Sequence, residues 1–490
     1  MTRRPFLFFP ALALSQSRPK LPYGVMSGDV LADRAIVWAR SDRPEQLVVE
    51  WSTTEQMTGL RTVKGGAATD ATGLTARVDL TGLPPGQTIF YRARFGDGEP
   101  VAGRFRTAPR DRRDVRFLWS GDTCGQGYGI NPDLGGMVSY EGMRRTDPDF
   151  FIHSGDNIYA DGPIPREQKT PDGLVWRNVV TEAKSKVAET VEEFRGAYLY
   201  NMMDENVRRF NASVAQVWQW DDHEVINNWS PGKDLVSDAR YKVKDIGTLV
   251  AHARQAFLEH APMRITSNRI YRRIPYGPLL DVFVLDMRTY RAANGYNRQA
   301  AASGETAFMG TPQIQWLKRD LARSKALWKV IAADMPLGLL VPDGKDSQGR
   351  AMFEAVANGD GPVLGREFEI ADLLTSMKKQ RVRNVVWLTA DVHYTAAHIY
   401  RPEKAQFTDF DPFWEFVSGP LNAGTFGPAQ LDNTFGPEVK FQKFPTAPNS
   451  SPASGQYFGE VFIEGKTGAM TVALRNQKRE TLFKQEIPTS

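Results

Sequence analysis

Six short runs between residues 115 and 391 are almost wholly apolar, and each ends on an aspartate. They are VRFLWSG before Asp122, DFFIHSG before Asp156, VAQVWQW before Asp221 and Asp222, LLDVFVL before Asp286, WKVIAA before Asp334 and VVWLTA before Asp391. Apolar residues at consecutive rather than alternate positions mark strands covered on both faces. The amphipathic stretches 189–210, 238–260 and 311–326 supply the cover, the last with Thr311 as N-cap and Pro312 at the first helical position. This is the pattern of an α/β domain, a sheet flanked by helices. In such sheets ligands bind beyond the carboxyl ends of the strands, where these aspartates would meet. A single one reads equally well as a helix cap, but all six runs end the same way. Clustered carboxylates repel one another unless a multivalent cation lies between them.

The segments around these aspartates carry further donors. SGDTCGQGYG (120–129) sets Asp122 and Cys124 two apart among glycines that let the backbone turn close to a ligand. HSGDNIYADG (153–162) offers Asp156 and, three residues on, Tyr159, hard oxygens that suit a trivalent iron better than zinc. WQWDDHEVINNW (218–229) packs Asp221, Asp222, His223, Glu224, Asn227 and Asn228 together, costly to bury without a metal or an anionic substrate. VLDMRTYR (284–291) provides Arg288 and Arg291, suited to clamp a phosphate or to pair with Asp286. In WLTADVHYTAAHIY (387–400), Asp391 and His393 stand two apart on a nearly extended segment and so point the same way. His398 falls outside that geometry and, like His252 and His260, is expected to pack.

The rest of the chain frames this region. At 490 residues it exceeds what one core usually organises. Residues 22–108 read as short alternating strands between turn clusters, a small all-β sandwich, and Leu83, Gly86 and Tyr91 resemble the end of a fibronectin type III domain. A charged linker at 107–114 leads to a catalytic region assigned to 109–490, whose tail, 457–487, reads as edge strands. The long Gly/Pro/polar segments 163–185, 295–310 and 421–455 are expected to cover the site. A net charge of +4 is too small for a nucleic-acid footprint, and the lone Cys124 excludes an intrachain disulfide. MTRRPFLFFPALALSQS has the shape of a signal peptide (segment 1–21), and Arg3-Arg4 resembles a twin-arginine export signal, so a periplasmic or secreted protein is expected. No other stretch approaches the ~20 apolar residues of a membrane span.

Gly155-Asp156-x-x-Tyr159, Asp222-His223-Glu224 and Asp391-x-His393, in that order, resemble the motifs of the metallophosphoesterase superfamily and its purple acid phosphatase branch. Asp221-Asp222-His223-Glu224, Asp391-x-His393, Cys124, LDMRTYR and the preceding sandwich are similar to the PhoD-type alkaline phosphatases. The resemblance implies a four-layer α/β/β/α sandwich holding ferric iron with calcium, manganese or zinc being alternative ions. Iron would be held by Cys124, Asp156, Tyr159 and His393, with Asp156 bridging to a calcium completed by Asp222 and Asp391. His223 would face the leaving group and Arg288 the phosphate oxygens. The family's first loop reads Ser-Cys-Gln, whereas GDTCGQ adds Asp122, so the first-loop ligand is Asp122, Cys124 or both. The implied reaction is hydrolysis of phosphate mono- or diesters by a metal-bound hydroxide, at neutral to alkaline pH and without a covalent phosphoenzyme. A phospholipase D-like diesterase and a non-catalytic secreted binding protein are the alternatives.

Overall fold

The computed structural model describes residues 17–266 and 269–489, so Arg3, Arg4 and most of the signal-like segment lie outside the described residues. All six apolar runs are strands. Val115–Ser120, Phe150–Ser154 and Ala215–Gln219 lie parallel in a nine-stranded sheet. Leu280–Val284, Trp328–Ala332 and Val385–Thr389 lie parallel in a seven-stranded one.

Strand alternation explains why the runs are apolar throughout. Val282, Val284, Val330, Ala332, Val386 and Leu388 belong to one core with Val115, Phe117, Trp119, Phe150, Ile152 and Val217 of the other sheet, so the two sheets pack face to face. Phe283, Leu285, Ile331 and Trp387 point the other way, onto the helices Thr311–Arg323 and Glu367–Lys379. On the far side Leu118 and Phe151 meet residues of Val138–Arg144 and Glu205–Ser213, and Trp218 packs with residues of Val191–Asn201 and Ile246–His260. The layers run helix, sheet, sheet, helix.

Local capping sets several helix boundaries that periodicity alone misplaces. The stretch 189–210 is two helices, because Asp204 accepts the amides of Asn206 and Val207 and starts a new one. Asp245 likewise begins its helix at Ile246 rather than at 238. Gly310, with φ 73°, is the N-cap expected of Thr311.

The tail forms three antiparallel strands, Tyr457–Ile463, Met470–Asn476 and Thr481–Ile487, added to Val115–Ser120 at one edge of the nine-stranded sheet. The amino-terminal region is β throughout, but it is fused to its neighbour rather than tethered. Val25–Gly28, Arg34–Arg40 and Thr75–Thr81 continue the nine-stranded sheet beyond Ala215–Gln219, while Arg61–Ala68, Glu45–Ser52, Thr88–Phe95 and Val101–Arg106 form a separate four-stranded sheet. Leu47, Val49, Phe95 and Phe105 share one hydrophobic core with Phe150 and Val217. Trp38 Nε1 donates to the Glu259 carbonyl at 2.7 Å, and Asp29 pairs with Arg272 at 2.8 Å. Among the described residues no helix is long and apolar enough to cross a membrane.

Candidate metal centre

The strands of both sheets deliver their aspartates into loops of unusual backbone. Asp122, Cys124, Gln126, Asp156, Asn228, Asp391 and His393 all have φ between 51° and 68°, the left-handed region that non-glycine residues avoid. Each such residue costs on the order of 1 kcal/mol or more and persists only where surrounding structure enforces it. The extended geometry expected for Asp391 and His393 is therefore not what turns them to one side; two left-handed turns do so. Gly419 permits another close approach, since a Cβ there would collide with the Asp122 carboxylate.

Three overlapping sets of donor atoms converge, each within 4.8 Å: Asp122, Asp156 and His393; Asp156, Asp222 and His223; Asp221, Asp222 and Asp391. Asp156 belongs to the first two and so stands between them. Tyr159 Oη lies 2.7 Å from His393 Nε2, which is 3.7 Å from Asp122 Oδ1. His393 Nδ1 bonds to the Gly424 carbonyl, which fixes the tautomer and turns Nε2 into the cluster. Glu224 accepts the amides of Asp156, Asn157 and Asp221 at 3.1, 2.6 and 2.7 Å, tying the second and third loops together.

The electrostatics are those of a cation site. Asp122 is fully buried and neither of its carboxylate oxygens has a hydrogen-bond partner; Asp221 Oδ2, Asp222 Oδ1 and Asp334 Oδ1 are also unpartnered. Burial, reinforced by neighbouring carboxylates, pushes Asp122, Asp156 and Asp391 well above the usual carboxylate range. Burial also raises Glu224, to about 7. Asp222 escapes: although burial favours its neutral form, His223 and Arg288 hold it down at about 2. Buried, unpartnered carboxyl oxygens beside an imidazole nitrogen and a phenol oxygen, which a bound cation would hold in the anionic form, are a donor set that fits multivalent metal ions.

His223 borders the cluster with its Nδ1 bonded to Asp161 Oδ1 at 2.7 Å and its ring 4.2 Å from that of Tyr159. Desolvation favours the neutral ring, but Asp161, Asp222 and Asp156 outweigh it and raise its pKa well above the ordinary value.

Other residues singled out in the sequence sit elsewhere. Cys124 joins none of the donor groups; its Sγ is 4.0 Å from Met137 Sδ and 3.8 Å from Asn422 Nδ2, in an apolar cluster. Of the two first-loop candidates it is Asp122 whose side chain meets Asp156 and His393. Arg288 does not line the pocket. Fully buried, it pairs with Asp221, Glu354 and Asp334, the last at 3.0 Å, with Asp391 at 3.5 Å, so its guanidinium neutralises the cluster from beneath instead of clamping a phosphate. Asp286 is not its side-chain partner either: it accepts Trp220 Nε1 and the amides of Arg288 and Thr289, the capping role open to any one aspartate. Arg291 is buried under Glu354. His398 packs against Glu415 at 3.1 Å, and His252 and His260 bond to backbone carbonyls.

Sequence reasoning passed over Asp161 and Glu354. Asp161 lay inside the quoted motif HSGDNIYADG, five residues after Asp156, but its partner 62 residues away gave no local signal.

A cavity of about 500 Å³ opens above the cluster. Asp156, Asp222, His223, Asp391 and His393 form its floor. Asn227 and Asn228 add polar groups to the lining, and Leu340, Val341, Pro342, Tyr394, Phe426, Pro428 and Ala429 add apolar ones, with Asn228 Nδ2 donating to the Pro342 carbonyl at 3.4 Å. Of the three long segments expected to cover the site, only 421–455 contributes wall residues; 163–185 and 295–310 contribute none, and the hairpin beginning at Pro342 takes their place.

A family model described as PhoD-like phosphatase matches residues 117–474, and one described as PhoD-like phosphatase, N-terminal domain, matches residues 9–109. Alkaline phosphatase D of Bacillus subtilis (strain 168) is 28% identical over 393 residues, which cover 76% of this chain and 64% of that protein. The chain thus spans less than two thirds of that relative's length. Among solved structures, that of PhoD superposes with a TM-score of 0.71 over 98% of this chain and 94% of the other, at 20% identity. A purple acid phosphatase from yellow lupin (Lupinus luteus) seeds gives 0.56 over 96% and 74%, at 14% identity. These two likenesses concern the fold.

Proposed function

The chain belongs to the PhoD-like phosphatase family, and from that membership we propose that it hydrolyses phosphate esters at a centre of at least two metal ions. The observation that carries this reading is the convergence of Asp156, Asp222, Asp391 and His393 on the floor of an open cavity, with Asp122 and Tyr159 buried against His393 behind it, and with buried carboxyl oxygens that no donor among the described residues satisfies. Asp122, Asp156, Tyr159 and His393 would hold one ion, and the phenol oxygen with two carboxylates suits ferric iron. Asp222, Asp391 and the shared Asp156 would hold the second, an all-oxygen set suited to calcium. Cys124 has no part in this assignment.

Bound ions supply positive charge that polarises phosphoryl oxygens and lowers the pKa of water. The chain's own residues do the rest. Glu224 and the left-handed turns hold the carboxylates in register, and Arg288 balances part of their charge from below. Asp161 occupies His223 Nδ1, leaves Nε2 for the cavity and, against the burial that favours a neutral ring, favours its protonated form. A water oxygen adds to phosphorus as one of its protons passes to solvent, the P–O bond to one ester arm breaks with its electron pair on the arm's oxygen, and His223 gives that oxygen a proton and regains one from solvent. An alcohol and a phosphate with one arm fewer remain.

The test is metal analysis of the purified protein together with hydrolysis of p-nitrophenyl phosphate and bis-p-nitrophenyl phosphate, for the wild type and Asp156→Asn. Loss of at least a hundredfold in kcat on Asp156→Asn, about 2.7 kcal/mol, is expected. A variant keeping more than about a tenth of the rate, ~1.4 kcal/mol, removes the shared-ligand assignment. A metal-bearing wild type inert on both esters favours a non-catalytic scaffold.

A further inference from the structure

The residues that line the cavity divide by chemistry in a way the reaction itself does not require. Its floor holds the acidic and imidazole groups already described. Its apolar lining comes from two separate segments, Leu340-Val341-Pro342 and Phe426-Gly427-Pro428-Ala429, together with Val392 and Tyr394. Phe426 is 36% exposed although its ring stands 5.4 Å from that of His393, so a large aromatic face is left open beside the cluster. Among the described residues no lysine or arginine lines the cavity. The nearest guanidinium, Arg288, is sealed beneath the floor by four carboxylates.

A phosphoryl group on the floor would have its own charge met by the metal ions and His223. Any further anionic group on the substrate would find Asp222, Asp391 and Glu354 nearby and no cationic side chain in the wall to receive it. An apolar arm, by contrast, would shed water against Val341 and Phe426. Resting on the phosphate-ester reading above, we infer that the preferred substrates are singly charged phosphodiesters whose retained arm is apolar. Val341 and Phe426 set this preference, and polyanionic phosphates are selected against. The products are then an alcohol from the leaving arm and a phosphomonoester that still carries the apolar arm.

The experiment holds the leaving group constant and varies the retained arm. kcat/KM is measured for p-nitrophenyl diesters whose second arm is phenyl, glycerol or adenosine diphosphate. The phenyl arm is expected to exceed the glycerol arm by about tenfold, the scale of discrimination an apolar pocket gives, and the nucleotide arm to be the poorest. Val341→Thr and Phe426→Asn are each expected to lower the phenyl-to-glycerol ratio by about fivefold or more. The ratio is the readout because damage to the centre lowers both rates together, and metal content of each variant is measured alongside. Phe426 packs on His393, so Val341→Thr, on the other segment, carries the test if Phe426→Asn loses metal. Equal rates on phenyl and glycerol arms, a preference for the nucleotide arm, or an unchanged ratio in Val341→Thr overturns the inference while leaving hydrolysis intact. Failure to cleave any of the three, with metal bound, overturns both the inference and the reading it rests on.

Discussion

Tyr159 Oη, 2.7 Å from His393 Nε2, is the donor with the clearest signature. If the first ion is ferric, phenolate coordination gives a charge-transfer band in visible light. Tyr159→Phe is expected to abolish or strongly shift that band, read by absorption spectroscopy with iron content measured in parallel; unchanged colour and iron would make Tyr159 a packing residue. Behind it Lys184 is buried and donates to the Tyr159 carbonyl. Burial lowers its pKa from 10.5 to about 8, with Asp161 among the groups that oppose the shift. Between these values the unfolded chain binds a proton that the folded one has released, so stability rises with pH across this window. The contribution is on the order of 3 kcal/mol. Subtracting the unfolding free energy of Lys184→Met from that of the wild type isolates this term, and the difference is expected to grow from about pH 8 to 10.5. A flat difference would mean the ammonium is solvated in place. Asp156, Asp222, Asp391 and His393 were legible in the sequence because the end of a buried strand is a local, readable event. The fate of Arg288 was not, since its partners Asp221, Asp334 and Glu354 come from three other segments that only the packed sheets bring together.

Among elements, the loop carrying Asp156 and the loop carrying His223 act as a pair. Glu224 binds the amides of the first loop, and Asp161 in turn binds His223 and the Asn227 amide at 2.9 Å. Asp161 touches no substrate in this arrangement; it positions His223. Asp161→Asn is expected to lower kcat by about ten- to a hundredfold for esters of alkyl alcohols, which need a proton as they leave. For p-nitrophenyl esters, whose phenolate leaves unaided, the drop should be far smaller. A loss equal for both leaving groups would assign Asp161 to the architecture of the loop. The six strands themselves were readable from apolar runs, and their flanking helices from periodicity. Helix starts were misplaced where a single side chain decides them, as at Asp204 and Asp245, because a cap competes with the pattern on which the period is read.

At the scale of the whole molecule, the two matched regions, 9–109 and 117–474, are distinct as sequences, and their described residues share one packed core. Binding of ions to the folded state alone stabilises it by mass action, about 2.7 kcal/mol at a hundred times Kd. Stripping metal with a chelator is therefore expected to lower the thermal midpoint, and returning it to restore the midpoint; an unchanged midpoint would mean that ions do not bind the cluster. Export is tested separately: if Arg3-Arg4 is a twin-arginine signal, replacing both with lysine should retain activity in the cytoplasm, and unchanged export would reject it. The join between the two regions, 110–114, is exposed and carries neither helix nor strand. On either side of it, Leu47, Phe95 and Phe105 stay locked against Phe150 and Val217, and Asp29 against Arg272. Covalent continuity at that join is thus dispensable for cohesion. A single protease cut there should yield two fragments that separate in denaturing electrophoresis yet co-elute as one particle in native gel filtration. The same join is accordingly the natural seam for a split enzyme, whose halves regain activity only when they find each other.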